Sequence, residues 1–226
     1  MTAPVLALLI AAAQGSGGGA EVPRIEDNSF LMEEAYNQEA GVVQHISTLL
    51  RAGRTWAYGF TQEWPLGGQR HQLSYTVALA EGPDVIALNY RHQLVGLGSH
   101  TAFAPRISFL VPTRESVGTA LQLNLPVSVA LAPQLVTHFN AGITTPRREQ
   151  AVYNAGASLI WLAHPNINLM LETVWSGDAQ SGDLIVNPAV RWAINAGSLQ
   201  IVPGVSFPDG RDVLFYLSLE HPFKRQ

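Results

Sequence analysis

From Gly41 onward, apolar and polar residues alternate with a period of two, the mark of strands with one apolar and one polar face. The clearest stretch is 118–131, where Leu121, Leu123, Leu125, Val127 and Val129 share one face and Gln122, Asn124, Pro126 and Ser128 the other. In 55–64, Trp56, Tyr58, Phe60 and Trp64 oppose Thr55, Gly59, Thr61 and Glu63; in 213–220, Val213, Phe215, Leu217 and Leu219 oppose Tyr216, Ser218 and Glu220. Gly, Pro, Asn and Asp signals cut the chain into about twelve such strands. They are 42–51, 55–64, 71–79, 85–94, 103–111, 118–131, 135–143, 152–162, 167–175, 186–194, 199–207 and 213–220. Most reach about 9–11 residues, enough to cross a bilayer at a tilt near 45°, whereas soluble strands average about 5–6. The first strand is the least polarised.

A soluble sandwich also alternates, so the contents of the two faces decide. The apolar faces are large and carry aromatics near strand ends, as at Trp56, Trp64, Trp161 and Trp175, which matches interfacial girdles. The other faces are small and polar. Arg51, Glu63, Arg91, Arg106, Glu172, Arg191 and Glu220 all read as lying on the polar faces. An arginine facing lipid at midplane costs about 2–4 kcal/mol, so the polar faces are assigned to an enclosed lumen. The expected fold is all-β: a closed antiparallel transmembrane β-barrel of about twelve strands over 42–223, with no free edge in hydrocarbon. Its lining is expected to include Arg51, Glu63, Arg91, Arg106, Asn124, His138, Glu172, Arg191 and Glu220, with arginines and glutamates of the wall pairing across it. With an even strand number both ends face the periplasm, and the connections near Ala52, Gly82, Glu115, Arg147, Gln180 and Asp209 face outside.

Composition agrees. Hydrophobic residues make up 47% and charged residues 13% of the 226, yet no run after residue 20 has the 18 apolar residues of a transmembrane helix. Lys224 is the only lysine, which argues against a water-facing exterior. There is no cysteine, which excludes thiol nucleophiles, disulfides and cysteine-bound metal. The net charge of −4 and the scattered basic residues give no nucleic-acid footprint.

Before the strands the pattern differs. An apolar run at 5–13, followed by small residues to Ala20, reads as a signal peptide over 1–20, although Met1 to Pro4 lacks a basic residue. Residues 21–41 hold six acidic side chains: Glu21, Glu26, Asp27, Glu33, Glu34 and Glu39. Asp27, Asn28 or Ser29 is placed to cap a short helix over 30–38. Two placements of this segment are open. It can enter the barrel as a plug through Glu33, Glu34, Tyr36, Asn37 and Gln38, pairing its carboxylates with lumen arginines, or rest as a helix on the periplasmic side.

Two stretches carry a family resemblance. Ile25-Glu26-Asp27-Asn28-Ser29-Phe30-Leu31-Met32-Glu33-Glu34-Ala35-Tyr36-Asn37-Gln38-Glu39, with Gly41-Val42-Val43-Gln44-His45-Ile46, is one; Val186-Asn187-Pro188-Ala189-Val190-Arg191-Trp192-Ala193-Ile194 is the other. Both resemble outer-membrane barrel proteins of the "MetA-pathway of phenol degradation" type, also labelled transporters. The resemblance implies an outer-membrane barrel that passes small, apolar or aromatic, molecules; it supplies no catalytic residues. The chain ends three residues beyond Phe223 instead of on the terminal aromatic common in such barrels.

Catalytic and metal signals are weak. His45, His71, His92, His100, His138, His164 and His221 show neither HExxH nor HxH spacing, and there is no GxSxG or phosphate-binding loop. His45 and Ser47 share a face, and Asn89 or Asn140 could orient the imidazole, so an outer-membrane lipid-active enzyme is the alternative, beside a non-transporting structural barrel. The expectation is a passive channel or transporter for small solutes, not an enzyme, without cofactor or metal. Its partners would be membrane lipids, the solute and the barrel-assembly machinery.

Overall fold

The computed structural model describes residues 29–81, 84–96, 99–113 and 118–223. The expected signal peptide at 1–20 lies outside them. Fifteen strand segments follow in chain order: β1 (Val42–Ala52), β2 (Thr55–Pro65), β3 (His71–Ala80), β4 (Val85–His92), β5 (Thr101–Phe103), β6 (Arg106–Pro112), β7 (Ala120–Asn124) and β8 (Val127–Ala132). Then come β9 (Leu135–Pro146), β10 (Val152–His164), β11 (Ile167–Gly177), β12 (Gly182–Trp192), β13 (Ile194–Ala196), β14 (Leu199–Ser206) and β15 (Val213–Pro222).

They make twelve staves. Prolines explain two of the interruptions, because each removes a ladder N–H. Pro105 separates β5 from β6 and Pro126 separates β7 from β8; the breaks lie side by side, with Ala104 N–H donating to Pro126 O. β12 and β13 form one stave interrupted at Ala193. Every stave pairs antiparallel with its neighbours in sequence, and β1 pairs with β15 over Val42↔Pro222 to Arg51↔Val213. The wall is therefore closed by its own backbone, and no edge is left. Val42 and Pro222 share one end of the wall, the end that an even strand number assigns to the periplasm.

Burial is inverted relative to a water-soluble protein. Leu88 and Ile107 are 57% and 58% exposed, whereas Arg91 and Glu172 are 2% and 0% exposed. All five tryptophans face outward near strand ends: Trp56 and Trp175 at the extracellular side, Trp64, Trp161 and Trp192 at the periplasmic side. An apolar belt with aromatic rims needs hydrocarbon around it. No helix among the described residues is long and apolar enough to cross a membrane.

Two expectations are corrected. Residues 30–38 form no helix but a bent, irregular path, for a reason given by its hydrogen bonds below. Arg51 does not line the lumen: it is exposed on the outer face of β1, in line with Leu49, with its guanidinium 5.8 Å from the Trp56 ring centroid. It sits one residue from the strand end, where a lipid-facing cation costs only about 0–1 kcal/mol, and the indole gives it a cation–π partner.

Candidate functional site: the filled lumen

The N-terminal segment enters from the periplasmic end and runs along the inside of the barrel. Its backbone donors are met one by one by side chains of the wall. Gln38 N–H donates to Gln72 Oε1 (2.6 Å) and Asn37 N–H to Gln93 Oε1 (2.8 Å). Ala35 N–H donates to Ser128 Oγ (2.8 Å), and Glu33 N–H to Asn140 Oδ1 (2.7 Å). Phe30, Leu31 and Met32 direct their N–H groups at the Glu172 carboxylate, at 3.0–3.3 Å. A helix would turn these donors inward to i−4 carbonyls. Here the wall offers the acceptors, and an open path spans more of the lumen per residue. That is why the helix signal in 30–38 does not decide the conformation.

The carbonyls are met in the same way. Arg91 donates from Nη1 to Glu34 O (3.0 Å), from Nη2 to Tyr36 O (2.9 Å) and from Nε to Asn37 Oδ1 (2.8 Å). Asn140 returns Nδ2–H to Glu33 O (2.6 Å), so one amide holds both backbone groups of Glu33.

Charge is settled at Glu33. Arg91 and Arg106 sit directly opposite each other on β4 and β6, an unfavourable pairing of like charges. The Glu33 carboxylate lies between them, 2.8 Å from Arg106 Nε and 3.5 Å from Arg91 Nη1, and also accepts from Asn124. The pairing expected between wall residues is thus corrected: these two arginines take their carboxylate from the segment. The wall glutamates bond otherwise. Glu63 accepts from Gln72 Nε2 (2.8 Å), Glu172 from Asn187 Nδ2 (2.7 Å) and Glu220 from Gln44 Nε2 (2.7 Å).

Apart from Arg51, the sequence-derived lining positions face inward: Glu63, Arg91, Arg106, Asn124, His138, Glu172 and Arg191 are buried and Glu220 half-buried. His138 Nδ1 lies 2.7 Å from Ser128 Oγ and so positions the acceptor for Ala35. Of the segment residues, Glu33, Glu34, Asn37 and Gln38 are buried and Tyr36 is partly buried.

Sequence reasoning missed two things. Gln72, Gln93, Ser128 and Asn140 carry the seat; strand parity points Gln72, Ser128 and Asn140 inward, but gives no hint of a backbone partner. It also missed an apolar patch inside the barrel, where Ile46, Leu50, Ile160, Met170 and Leu214 pack around Phe30, Leu31 and Met32. Its one signal was the poor polarity contrast of β1, whose inner face carries Ile46 and Leu50. Two glycines make room there. A Cβ on Gly204 would stand 2.7 Å from Phe30 Cζ, and one on Gly156 2.5 Å from Met32 Sδ.

His45 and Ser47 both face outward, whereas Asn89 and Asn140 face the lumen. His45 Nε2 meets His221 Nε2 (3.1 Å), and Ser47 Oγ lies 3.5 Å from the Tyr58 hydroxyl. The proposed serine–histidine–asparagine set is therefore not brought together.

Among solved structures, a KdgM porin in complex with disordered oligogalacturonate superposes with a TM-score of 0.62 at 10% identity, covering 81% of this chain and 99% of that one. This chain has the closed β-barrel fold of that porin, with an apolar outer belt suited to a lipid bilayer. A NanC porin structure superposes with a TM-score of 0.58 at 10% identity, covering 81% of this chain and 100% of the other. At such identities the likeness is one of fold. No family model matches the chain, and no curated protein matches it in sequence.

Proposed function

We propose that this outer-membrane barrel is a passive channel for small solutes, closed at rest by residues 29–40. One observation carries the reading: the wall closes through the β1–β15 ladder without any strand contributed by the segment. The segment is seated by side-chain contacts alone, so it can leave without opening the wall. What it would uncover is a polar lining of Gln72, Arg91, Gln93, Arg106, Asn124 and Asn140, beside the apolar patch of Ile46, Leu50, Ile160, Met170 and Leu214. A barrel of twelve strands is wide enough for water and a small solute only when such filling is withdrawn.

The finer reading follows the family resemblance: passage of small apolar or aromatic molecules, with assembly by the barrel-assembly machinery. The KdgM porin, whose structure holds oligogalacturonate, has the same fold; entry of a solute into this barrel is the corresponding proposal. A second reading has a specific observation in its favour. The apolar cluster around Phe30 to Met32 resembles a core, as in a barrel that is permanently filled and does not transport.

Single-channel recording on the full chain and on a deletion of residues 21–40 separates the two. The channel reading expects small or rare openings from the full chain and a steady, several-fold larger conductance from the deletion. Equal conductance from both, with the deleted barrel still folded by heat-modifiable gel migration, would defeat it.

A further inference from the structure

The histidines are not spread evenly over the molecule. His138 is in the lumen; the other six, His45, His71, His92, His100, His164 and His221, all lie toward the end of the wall that holds Val42 and Pro222. Four of the six face outward on neighbouring staves and meet in pairs. The His45 and His221 rings, on β1 and β15, are 5.2 Å apart, with their Nε2 atoms at 3.1 Å. Those of His71 and His92, paired across β3 and β4, are 4.6 Å apart. Elsewhere this rim presents mainly apolar groups, such as Leu131, Trp161, Ile167 and Trp192.

The charge around the histidines is one-sided. Arg70, exposed in the turn between β2 and β3, directly precedes His71. The carboxylates of this rim among the described residues are Glu39, in the turn before β1, and Glu220, which accepts from Gln44 on the inner face. Every other described Asp or Glu lies in the lumen or toward the opposite end. The β3–β4 corner is also short of acceptors. His71 Nδ1 lies 2.7 Å from the Tyr90 hydroxyl, but its Nε2, both ring nitrogens of His92 and the Arg70 guanidinium have no hydrogen-bond partner among the described residues. The His45–His221 pair, by contrast, bonds within itself. From the corner toward the middle of the wall, Leu73 and Leu88 present an apolar outer face. A fixed cation and free imidazole nitrogens, at the edge of a lipid-facing wall, suit a phosphate that carries acyl chains.

We propose that the corner formed by Arg70, His71, His92 and Tyr90 binds the phosphodiester headgroup of an anionic phospholipid in the adjoining leaflet, with the acyl chains along Leu73 and Leu88. The site rests on the barrel lying in a bilayer and does not depend on whether the lumen conducts. Lower pH charges imidazoles and so tightens the hold. The titratable and charged groups facing these two rings are one another, the Tyr90 hydroxyl and Arg70.

The test is the thermal midpoint of the full-length barrel, read by heat-modifiable gel migration, in detergent micelles doped with phosphatidylglycerol or with phosphatidylcholine, in EDTA. Phosphatidylglycerol is expected to raise the wild-type midpoint by about 2–4 °C over phosphatidylcholine at pH 6, as binding to the native state requires, and by less at pH 8. His71→Gln/His92→Gln is expected to lose most of this response, and His164→Gln, away from the corner, to keep it. If the double variant does not fold, Arg70→Gln, in an exposed turn, serves and is expected to lose at least half. No difference between the lipids in wild type, or an undiminished response in the corner variants, would overturn the site. So would an equal loss in His164→Gln, which would mean that the rim acts only through its overall charge. An equal rise from inorganic phosphate in phosphatidylcholine micelles would assign the corner to a free anion and overturn the lipid. Dimers in phosphatidylcholine that disappear in His71→Gln/His92→Gln would assign the face to a second copy of the chain and overturn it likewise. Single-channel conductance unchanged by deleting residues 21–40, beside an intact phosphatidylglycerol response, would sink the channel and support the site.

Discussion

At the residue scale, Glu33 is the group on which the closed state turns. Two buried arginines face each other across the β4–β6 pairing, and only a carboxylate between them makes that arrangement tolerable. Breaking a buried ion pair by removing one partner costs about 3–5 kcal/mol, since the other charge stays buried and unpaired. Glu33→Gln is therefore expected to raise open probability in single-channel recordings by well over tenfold. In Glu33→Gln/Arg106→Gln, with one stranded charge gone, part of the closed population should return. Independent, additive effects of the two substitutions would show that the pair is not coupled in the closed barrel. Glu33 was legible only as one of two open placements: the acidic segment could enter the barrel and meet lumen arginines or rest as a helix on the periplasmic side. Its position between two arginines depends on a cross-strand register that single-sequence patterning does not supply. Arg51 was misread for a related reason: parity in the weakly polarised β1 gave no secure inward face, and proximity to the strand end removed the penalty the assignment relied on.

At the element scale, the segment and the wall are joined by shape as well as charge. Gly156 leaves the hollow that receives Met32, and Thr173 O lies 2.7 Å from where its Cβ would be. Gly156→Val fills the hollow with atoms that neither the wall backbone nor Met32 can avoid. The expected result is a barrel that still shifts on heating in a denaturing gel but conducts like the 21–40 deletion. Conductance indistinguishable from wild type would mean that Met32 does not hold the segment in place. The outer face obeys the opposite chemistry. Leu88, in the middle of β4 and 57% exposed to what would be lipid, is expected on substitution by arginine to cost about 2–4 kcal/mol of folding stability in bilayers. A cost near zero, measured by urea titration in liposomes, would contradict a lipid-facing β4. All twelve staves could be read from period-two alternation and turn residues, since each stave has lipid on one side and mostly polar lumen on the other. The segment at 30–38 could not. Its short amphipathic look favours a helix in isolation, and only a ring of wall acceptors overrides it.

At the scale of the whole molecule, the barrel is two structures nested in each other: a wall complete in its own hydrogen bonds, and an occupant satisfied by the wall's side chains. This division is what allows a closed and an open state without unfolding. It also explains why composition pointed correctly to a membrane barrel yet was silent on whether the lumen is open: the same polar lining serves a water-filled pore and a seat for a peptide. Because the chain has no cysteine of its own, one engineered pair reports on the nesting directly. Ala35 N–H lies 2.8 Å from Ser128 Oγ, and both residues are buried inside the barrel. The decisive measurement is oxidative cross-linking of Ala35→Cys/Ser128→Cys in intact outer membranes, beside Ala35→Cys/Leu88→Cys as the control across the wall. The expected result is a fast-migrating cross-linked band for the first pair and none for the second. Failure of the first pair to cross-link in a barrel otherwise folded and inserted, or equal cross-linking of both, would contradict a segment seated within the lumen.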